Sequence, residues 1–317
     1  MKRKFVALFV LLPLLLTACV NESPEPLVTL EETKTEERVL VSGDESGGIQ
    51  FAVYSDDTCE ILGLTSEFTD HVFEVPAYFD ELPVVAIADN AFRDTSLLHV
   101  TLPETIERIG DRAFQRCHIE SLVMPDSVVS IGEDSFDNCL KMKTLTLSRS
   151  LKEIPMGAFY SCSSLETVVV PEGVVSIGEE AFASCGALRQ ITLPSTLKEI
   201  GPWAFWNTGT AELSFAVPQS VETVGAHAFR ETDWLAAQTE EFVLVGKGVL
   251  LDYNGTASSV TLPATVRYLS NAFVYSTATA LEVPATLEGV CENALEDTAI
   301  VSVTYHGDKE EIKNRLK

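Results

Sequence analysis

The chain has 317 residues, of which 46% are apolar, so it is long enough for one or two domains with a continuous hydrophobic core. Its formal net charge of −25 argues against nucleic-acid binding, because that function needs clustered lysine and arginine to neutralise phosphates. A surface this acidic favours solubility and self-repulsion, and it could also attract cations or basic partners.

Residues 1–18 have the features of a secretion signal and are excluded from the predicted fold. A basic start at residues 1–4 precedes an apolar run at residues 5–16, which is too short to span a bilayer as a helix. The small residues before Cys19 resemble the lipoprotein signal of bacteria, in which the cysteine becomes the acylated first residue after cleavage. The resemblance implies a lipid anchor on Cys19 in a bacterial membrane, and an ordinary secretion signal with an incidental cysteine is the alternative.

The stretch that follows the signal is acidic and poor in apolar side chains. Residues 19–48, which begin at the acylated cysteine, are therefore predicted to form a disordered tether. Residues 49–75 alternate apolar and polar positions around Asp56 and Asp57, a pattern typical of a β-hairpin. This hairpin is predicted to cap the first coil of the repeat that comes next.

A phrase of about 23 residues then recurs along the chain, and its clearest copy runs from Val168 to Leu188. Its anchor residues are Phe92, Phe114, Phe136, Phe159, Phe182, Phe205, Phe229, Phe273 and Leu295. A fixed period in this range is typical of a leucine-rich-repeat solenoid. We therefore predict an α/β solenoid over residues 49–317, with about nine coils and caps at both ends. One side should be a parallel β-sheet and the other a row of short helical segments, with the phenylalanines stacked as a spine.

Each phrase begins with a short strand that ends at a proline, followed by a recurring Ile-Gly pair. Pro155 occupies the glycine slot of one phrase, and proline requires a negative φ. The glycines are therefore predicted to serve close packing rather than a left-handed backbone. Acidic residues such as Asp111 and Glu133 follow the pair, which would suit the first turn of a helix.

Four cysteines share one slot of the repeat, three residues after the anchor. They are Cys117, Cys139, Cys162 and Cys185. Other copies of the phrase hold threonine or serine in this slot, which predicts a small side chain that packs and donates a hydrogen bond. Buried free thiols are the favoured interpretation, and a disulfide or a set of metal ligands are the alternatives.

Two segments depart from the repeat. Residues 233–258 contain two apolar runs joined by Gly246-Lys247-Gly248, which predicts a hairpin insertion in place of one coil. Residues 299–317 are predicted to be a C-terminal cap that ends in a short charged helix, with Ile312 and Leu316 on one side.

The phrase P-x-x-V-x-x-I-G-x-x-A-F-x-x-C-x-x-L resembles the BspA-like leucine-rich-repeat family of bacterial surface proteins, over about residues 50–306. The resemblance implies an extracytoplasmic, surface-located protein, and some members of the family are associated with adhesion. The sequence lacks H-E-x-x-H, G-x-S-x-G and C-x-x-C motifs. We therefore predict neither catalysis nor a cofactor or metal ion.

The predicted binding surface is the concave face of the sheet, formed by outward strand positions. They are His99, Thr101, Ser121, Val123, Thr144, Thr146, Thr167, Val169, Gln190 and Thr192. Their small, β-branched and nearly uncharged character fits a flat surface for a protein or glycan, although β-propensity alone would also explain it. The three tryptophans, Trp203, Trp206 and Trp234, mark a second candidate surface.

These features together predict a monomeric, membrane-anchored surface lipoprotein that acts as an adhesin-like binding module. A structural component of the envelope without a soluble ligand is the alternative.

Overall fold

The computed structural model describes residues 40–209 and 216–316. The predicted signal peptide, Cys19 and the tether up to residue 39 lie outside the described residues. The described strands are β1 (Leu40–Ser46), β2 (Ile49–Tyr54), β3 (Cys59–Leu64), β4 (Val72–Glu74), β5 (Tyr78–Phe79), β6 (Leu82–Ile87), β7 (His99–Thr101), β8 (Arg108–Ile109), β9 (Ser121–Val123), β10 (Ser130–Ile131), β11 (Thr144–Thr146), β12 (Glu153–Ile154), β13 (Thr167–Val169), β14 (Ser176–Ile177), β15 (Gln190–Thr192), β16 (Glu199–Ile200), β17 (Thr223–Val224), β18 (Phe242–Val245), β19 (Val249–Tyr253), β20 (Ser259–Thr261), β21 (Tyr268–Leu269), β22 (Ala280–Val283), β23 (Gly289–Val290) and β24 (Ser302–Tyr305). The described helices are α1 (Asp233–Ala236) and α2 (Glu310–Arg315).

The N-terminal cap is larger than the sequence predicts. Strand β1 pairs antiparallel with β2, and β2 pairs antiparallel with β3. Residues 40–46 are therefore part of a sheet, and the predicted tether boundary at residue 48 is wrong. An edge strand gains its backbone pairing without needing apolar side chains, so the polar composition of this stretch concealed it. Strand β3 also pairs in parallel with β6, which joins the cap to the first coil.

Two sides of each coil are parallel strands. The first side is the sheet β4-β7-β9-β11-β13-β15, and it resumes after the insertion as β20-β22-β24. The second side begins with the six-residue strand β6 and continues as two-residue strands, through β8 and β10 and then the sheet β12-β14-β16-β17. In the first side the middle residue of each strand points inward, as with Leu122, Val168 and Ile191, which are at most 4% exposed. Alternation along three residues therefore fixes which side chains reach the solvent.

The third side of each coil is a turn rather than the predicted short helical segment. The anchor Phe136 lies between two left-handed residues, Asp134 with φ of 53° and Asn138 with φ of 57°. Left-handed residues interrupt α-helical hydrogen bonding within a coil. Instead, the N–H groups of these three residues donate to the next coil, at Met156, Ala158 and Tyr160, over 3.0, 2.9 and 2.8 Å. The helices α1 and α2 lie outside this repeated segment.

The acidic residues that suggested helix starts have another partner. The Asp111 carboxylate accepts a hydrogen bond from the backbone N–H of Glu133 at 2.9 Å, and Asp89 accepts one from Asp111 over the same distance. These carboxylates therefore join one coil to the next, since each bond spans 22 residues.

The anchors form the predicted spine. Successive ring centroids from Phe92 to Phe229 are 5.0–5.7 Å apart, and the rings are stacked. Beyond the insertion, Tyr253 occupies the same position: it is 4% exposed, lies 5.2 Å from Phe273, and donates its N–H to Ala272. With Tyr253 included, the solenoid has about ten turns.

The recurring glycines sit where one coil touches the next, as predicted. A Cβ atom added to Gly178 would lie 2.6 Å from the nitrogen of Met156 and 2.8 Å from the carbonyl carbon of Pro155. Gly178 does not have a left-handed φ. The prediction that close packing requires glycine here is therefore confirmed.

The hydrophobic core changes at the insertion. Strands β18 and β19 pair antiparallel as a hairpin, and β19 then pairs in parallel with β21, so the hairpin enters the second side of the solenoid. One core cluster ends at Leu251, and a second begins at Leu250 and continues to the C-terminal cap. There Ile312 and Leu316 of the predicted charged helix are 3% and 5% exposed.

Candidate functional site

The ten predicted face residues lie in two exposed rows across strands β7 to β15. The first row contains His99, Ser121, Thr144, Thr167 and Gln190, and the second contains Thr101, Val123, Thr146, Val169 and Thr192. The strand register aligns Thr144 with Ser121 and Thr146 with Val123. We call these two rows the outward face.

The outward face is nearly uncharged and partly apolar. Val123 and Val169 are 66% and 64% exposed, which is unusual for valine in a folded domain. Thr146 and Val169 also line a depression of about 460 Å³, whose rim carries the charges of Arg149 and Glu172. The face therefore combines an apolar floor with polar groups at its edge, as protein-binding surfaces do.

A row of exposed charges of alternating sign borders this face. It consists of Glu120, Lys143, Glu166 and Arg189, each one residue before a strand. The N–H group of each donates to the carbonyl one coil earlier, so the four residues are stacked along the solenoid. Because neighbouring charges of opposite sign cancel, the outward face is far less acidic than the chain as a whole.

Sequence reasoning missed one strand of this face. Val72 and Glu74 of β4 are exposed and pair with His99 and Thr101, so the rows begin inside the predicted cap. The signal for it was present, because Val75-Pro76 closes this strand as a proline closes the others. The two rows therefore continue one coil further toward the N-terminus, where Glu74 places a carboxylate next to the nearly uncharged outward face.

The cysteine slot has a packing role. The Cys139 and Cys162 thiols donate to the carbonyls of Phe114 and Phe136 at 3.2 and 3.3 Å, and Thr208 donates to Phe182 in the same way at 2.6 Å. All six cysteines in the described part of the chain are buried and free, which supports the interpretation as packed thiols over a disulfide.

Burial also controls the chemistry of these thiols. It raises the pKa of Cys117 to about 11 and that of Cys185 to about 12. Thiols with such pKa values are not nucleophiles at neutral pH. Within residues 40–209 and 216–316 there is no group of three or more His, Cys, Asp or Glu side chains that could hold a metal ion.

The tryptophans surround the start of the insertion. Trp203 packs edge-on against Trp206, with ring centroids 6.0 Å apart, and its ring is tilted against the His227 ring at 4.3 Å. Trp234 lies on the other side of the anchor Phe229, 5.1 Å from its ring. All three are half-buried, so these rings stabilise the junction as well as offering an aromatic surface.

Parallel strands one coil apart, a stacked phenylalanine spine and turns joined by backbone hydrogen bonds define a leucine-rich-repeat solenoid. The BspA-type leucine-rich-repeat region matches residues 85–212 and 210–316, in six copies. The chain therefore belongs to the BspA-type leucine-rich-repeat family. No curated protein matches it.

Solved structures agree with this assignment. A leucine-rich cell surface protein from Faecalibacterium prausnitzii is 25% identical, with a TM-score of 0.60 over 86% of this chain and 77% of that one. A leucine-rich-repeat protein from Eubacterium ventriosum is 24% identical, with a TM-score of 0.53 over 62% of this chain and 51% of that one, which shows a shared fold. Neither α1 nor α2, the helices of the described ranges, is long and apolar enough to cross a membrane.

Proposed function

We propose that the protein is a non-catalytic binding module on a bacterial cell surface, and that it uses the outward face to bind a protein or glycan. The observation that carries the proposal is the pair of exposed rows, kept nearly uncharged across strands β7 to β15 of a chain with net charge −25. Random surface positions on so acidic a chain would include carboxylates. Family membership and the likeness to a cell surface protein support the location.

The chemistry of the face limits its ligand. Threonine and serine hydroxyls can donate and accept hydrogen bonds, and the exposed valines add apolar contact. The face has no exposed tryptophan, tyrosine or arginine among its ten residues, and these are the usual sources of strong binding energy. We therefore infer a large, flat ligand surface that is bound through many weak contacts.

We also propose that acylation of Cys19 holds the protein at the membrane. The order of basic residues, apolar run, small residues and cysteine supports this step. A single acyl chain binds membranes reversibly, so more than one chain would be needed for stable anchoring. Labelling of growing cells with a fatty-acid analogue should mark the wild-type protein, whereas Cys19→Ser should remain unlabelled and be released from membranes.

The test of binding is an array of extracellular-matrix proteins and glycans probed with the full chain. The double variant Thr146→Arg/Thr192→Arg adds two bulky charges to the outward face and should abolish saturable binding. The matched control is Ser130→Arg/Val175→Arg, which adds the same charges at exposed positions on the second side of the solenoid. If both variants bind as the wild type does, or if the array shows no binding at all, the outward face is not the site.

A further inference from the structure

Backbone hydrogen bonds join each coil to the next in a repeated set of three. In the coil anchored at Phe159, the N–H groups of Gly157, Phe159 and Ser161 donate to the carbonyls two residues apart at Glu179, Ala181 and Ala183, over 2.8, 2.9 and 2.8 Å. The same three bonds leave every coil from the one anchored at Phe92 to the one anchored at Phe205. We call this set of bonds the turn ladder.

The turn ladder stops at the coil anchored at Phe229. His227 and Glu231 have the left-handed φ values of their predecessors, 57° and 59°. In the earlier coils the residues at these two positions donate to the following coil. Here neither N–H group has a hydrogen-bond partner among residues 40–209 and 216–316. After Thr232 the chain continues into α1 instead of forming the next turn segment, so it does not supply the carbonyls that would accept these two hydrogen bonds.

A cavity of about 340 Å³ occupies this place, and His227 and Glu231 both line it. Its volume lies within the range of small-ligand pockets. Apolar side chains from three parts of the chain line it: Leu235 of α1, Leu251 of β19 and Val274, which follows the anchor Phe273. The junction of the insertion with the solenoid has therefore created a concave site, which we call the junction cavity.

Two further polar atoms in the junction cavity lack partners in the part of the chain that the structure describes. Asn271 is 8% exposed, and its Oδ1 atom accepts no hydrogen bond from those residues, while its Nδ2 atom donates to the carbonyls of Asn293 and Ala294. The Nε atom of Arg230 is also buried without an acceptor among them. Its guanidinium lies 5.1 Å from the ring of Tyr275, which is 74% exposed. Buried polar groups are normally paired, so these donors and this acceptor are groups to which a polar ligand could hydrogen-bond.

We propose that the junction cavity binds an extended peptide segment of a partner protein, as a substitute for the missing turn segment. In the six earlier coils, the equivalent N–H groups donate to backbone carbonyls that are two residues apart. An extended peptide presents its alternate carbonyls in the same way. His227 and Glu231 donate to two such carbonyls. A peptide N–H donates to the Oδ1 atom of Asn271, and one apolar side chain fills the space between Leu235 and Val274. Arg230 and Tyr275 at the rim are residue types that dominate binding hot spots.

This site is independent of the outward face, and a pair of variants separates the two. Ala236 lines the junction cavity, whereas its neighbour Ala237 does not, and both are exposed alanines at the end of α1. Ala236→Trp should fill the cavity, and Ala237→Trp is the matched control with the same added ring. Neither substitution should change binding of matrix proteins or glycans at the outward face.

The experiment selects peptides on the full chain from heptapeptides with a central leucine and random flanking residues. Their affinity for the wild type and both variants is then measured by calorimetry. We expect a weakening of about tenfold or more for Ala236→Trp and less than about twofold for Ala237→Trp. Amide hydrogen exchange should show His227 and Glu231 exposed in the free chain and protected in the complex.

Three results would overturn the proposal. The first is that no heptapeptide binds above background. The second is that selected peptides bind the two tryptophan variants equally well. The third is that the His227 and Glu231 amides are already protected in the free full chain, which would mean that the chain itself occupies the cavity.

Discussion

Replacing Gly178 by alanine should force two neighbouring coils apart. The added methyl group would lie 2.6 and 2.8 Å from backbone atoms of Met156 and Pro155, and a backbone cannot rotate away as a side chain can. Overpacking of this kind costs about 1–3 kcal/mol. The same movement would stretch the 2.7 Å hydrogen bond from the Gly178 N–H to the Ile154 carbonyl, which contributes about 1 kcal/mol. We therefore expect a loss of roughly 2–4 kcal/mol in the free energy of unfolding.

The matched control lies eight residues further along the same coil. A Cβ atom added to Gly186 would meet nothing within 4 Å among residues 40–209 and 216–316, and Gly186 does not have a left-handed φ. Alanine there should stabilise by about 0.4–1 kcal/mol, because it restricts the unfolded chain. The two substitutions are chemically identical, so their opposite signs would isolate the contact between coils.

Urea unfolding followed by circular dichroism gives both free energies. Thermal unfolding gives an independent estimate, since 1 kcal/mol corresponds to roughly 2–4 °C in a domain of 150–250 residues. A Gly178→Ala variant within about 0.5 kcal/mol of the wild type would refute the reasoning. It would mean that the coils can separate by several tenths of an ångström without loss of stability. The fixed hydrogen-bond spacing of the turn ladder predicts the opposite.

Three other predictions follow from buried groups. Phe182→Ala removes a fully buried ring from the stack and should lower the free energy of unfolding in urea by about 3–5 kcal/mol. Binding at the outward face should be unchanged at urea concentrations below the transition. A loss of less than about 1 kcal/mol would contradict the stabilising role of the phenylalanine spine. Burial raises the pKa of Asp137, although the hydrogen bond from Gln115 opposes this rise. The folded chain therefore holds the carboxyl proton more tightly than the unfolded chain does. Stability accordingly falls as the pH rises from the pKa of Asp137 in the unfolded chain to its pKa in the folded chain. Asp137→Asn should therefore raise the urea midpoint at pH 7, and the gain should shrink as the pH is lowered toward the ordinary aspartate value; an equal gain at both pH values would be the contrary result. Burial raises the pKa of the Cys162 thiol well above its usual range, so a thiol reagent should modify it only after denaturation, and rapid labelling of the native chain, mapped to Cys162 by mass spectrometry, would contradict its packing.

The sequence was sufficient for the solenoid because its regular features are local. The spacing of anchors predicted the coils, and alternation around Leu145 predicted which side chains are exposed. The exchange of cysteine for threonine predicted the hydrogen bonds now seen at Cys139 and Thr208. The prediction of short helical segments on the third side of each coil was wrong, because acidic residues near a chain reversal are compatible with two structures. They can stabilise a helix start, or they can accept a backbone N–H from the neighbouring coil as Asp111 does.

The candidate sites divide in the same way. The two rows of the outward face follow from period-two alternation, so the exposure of Thr146 and Thr192 could be predicted from the local sequence of each strand. The junction cavity could not be, because it depends on where the insertion leads the chain after Thr232. Tyr253 was missed for a related reason: it lies 24 residues after Phe229 and 20 before Phe273, so the insertion conceals its place in the period.

The end of the turn ladder also has an energetic consequence. A left-handed conformation costs about 1–2 kcal/mol for each residue other than glycine, so two per coil cost about 2–4 kcal/mol. Three backbone hydrogen bonds contribute about 3 kcal/mol and roughly offset that cost within the regular coils. His227 and Glu231 have the unfavourable φ without those bonds. The coil anchored at Phe229 is therefore strained relative to the six coils before it, and a ligand that supplied two carbonyls there would stabilise the solenoid at this joint.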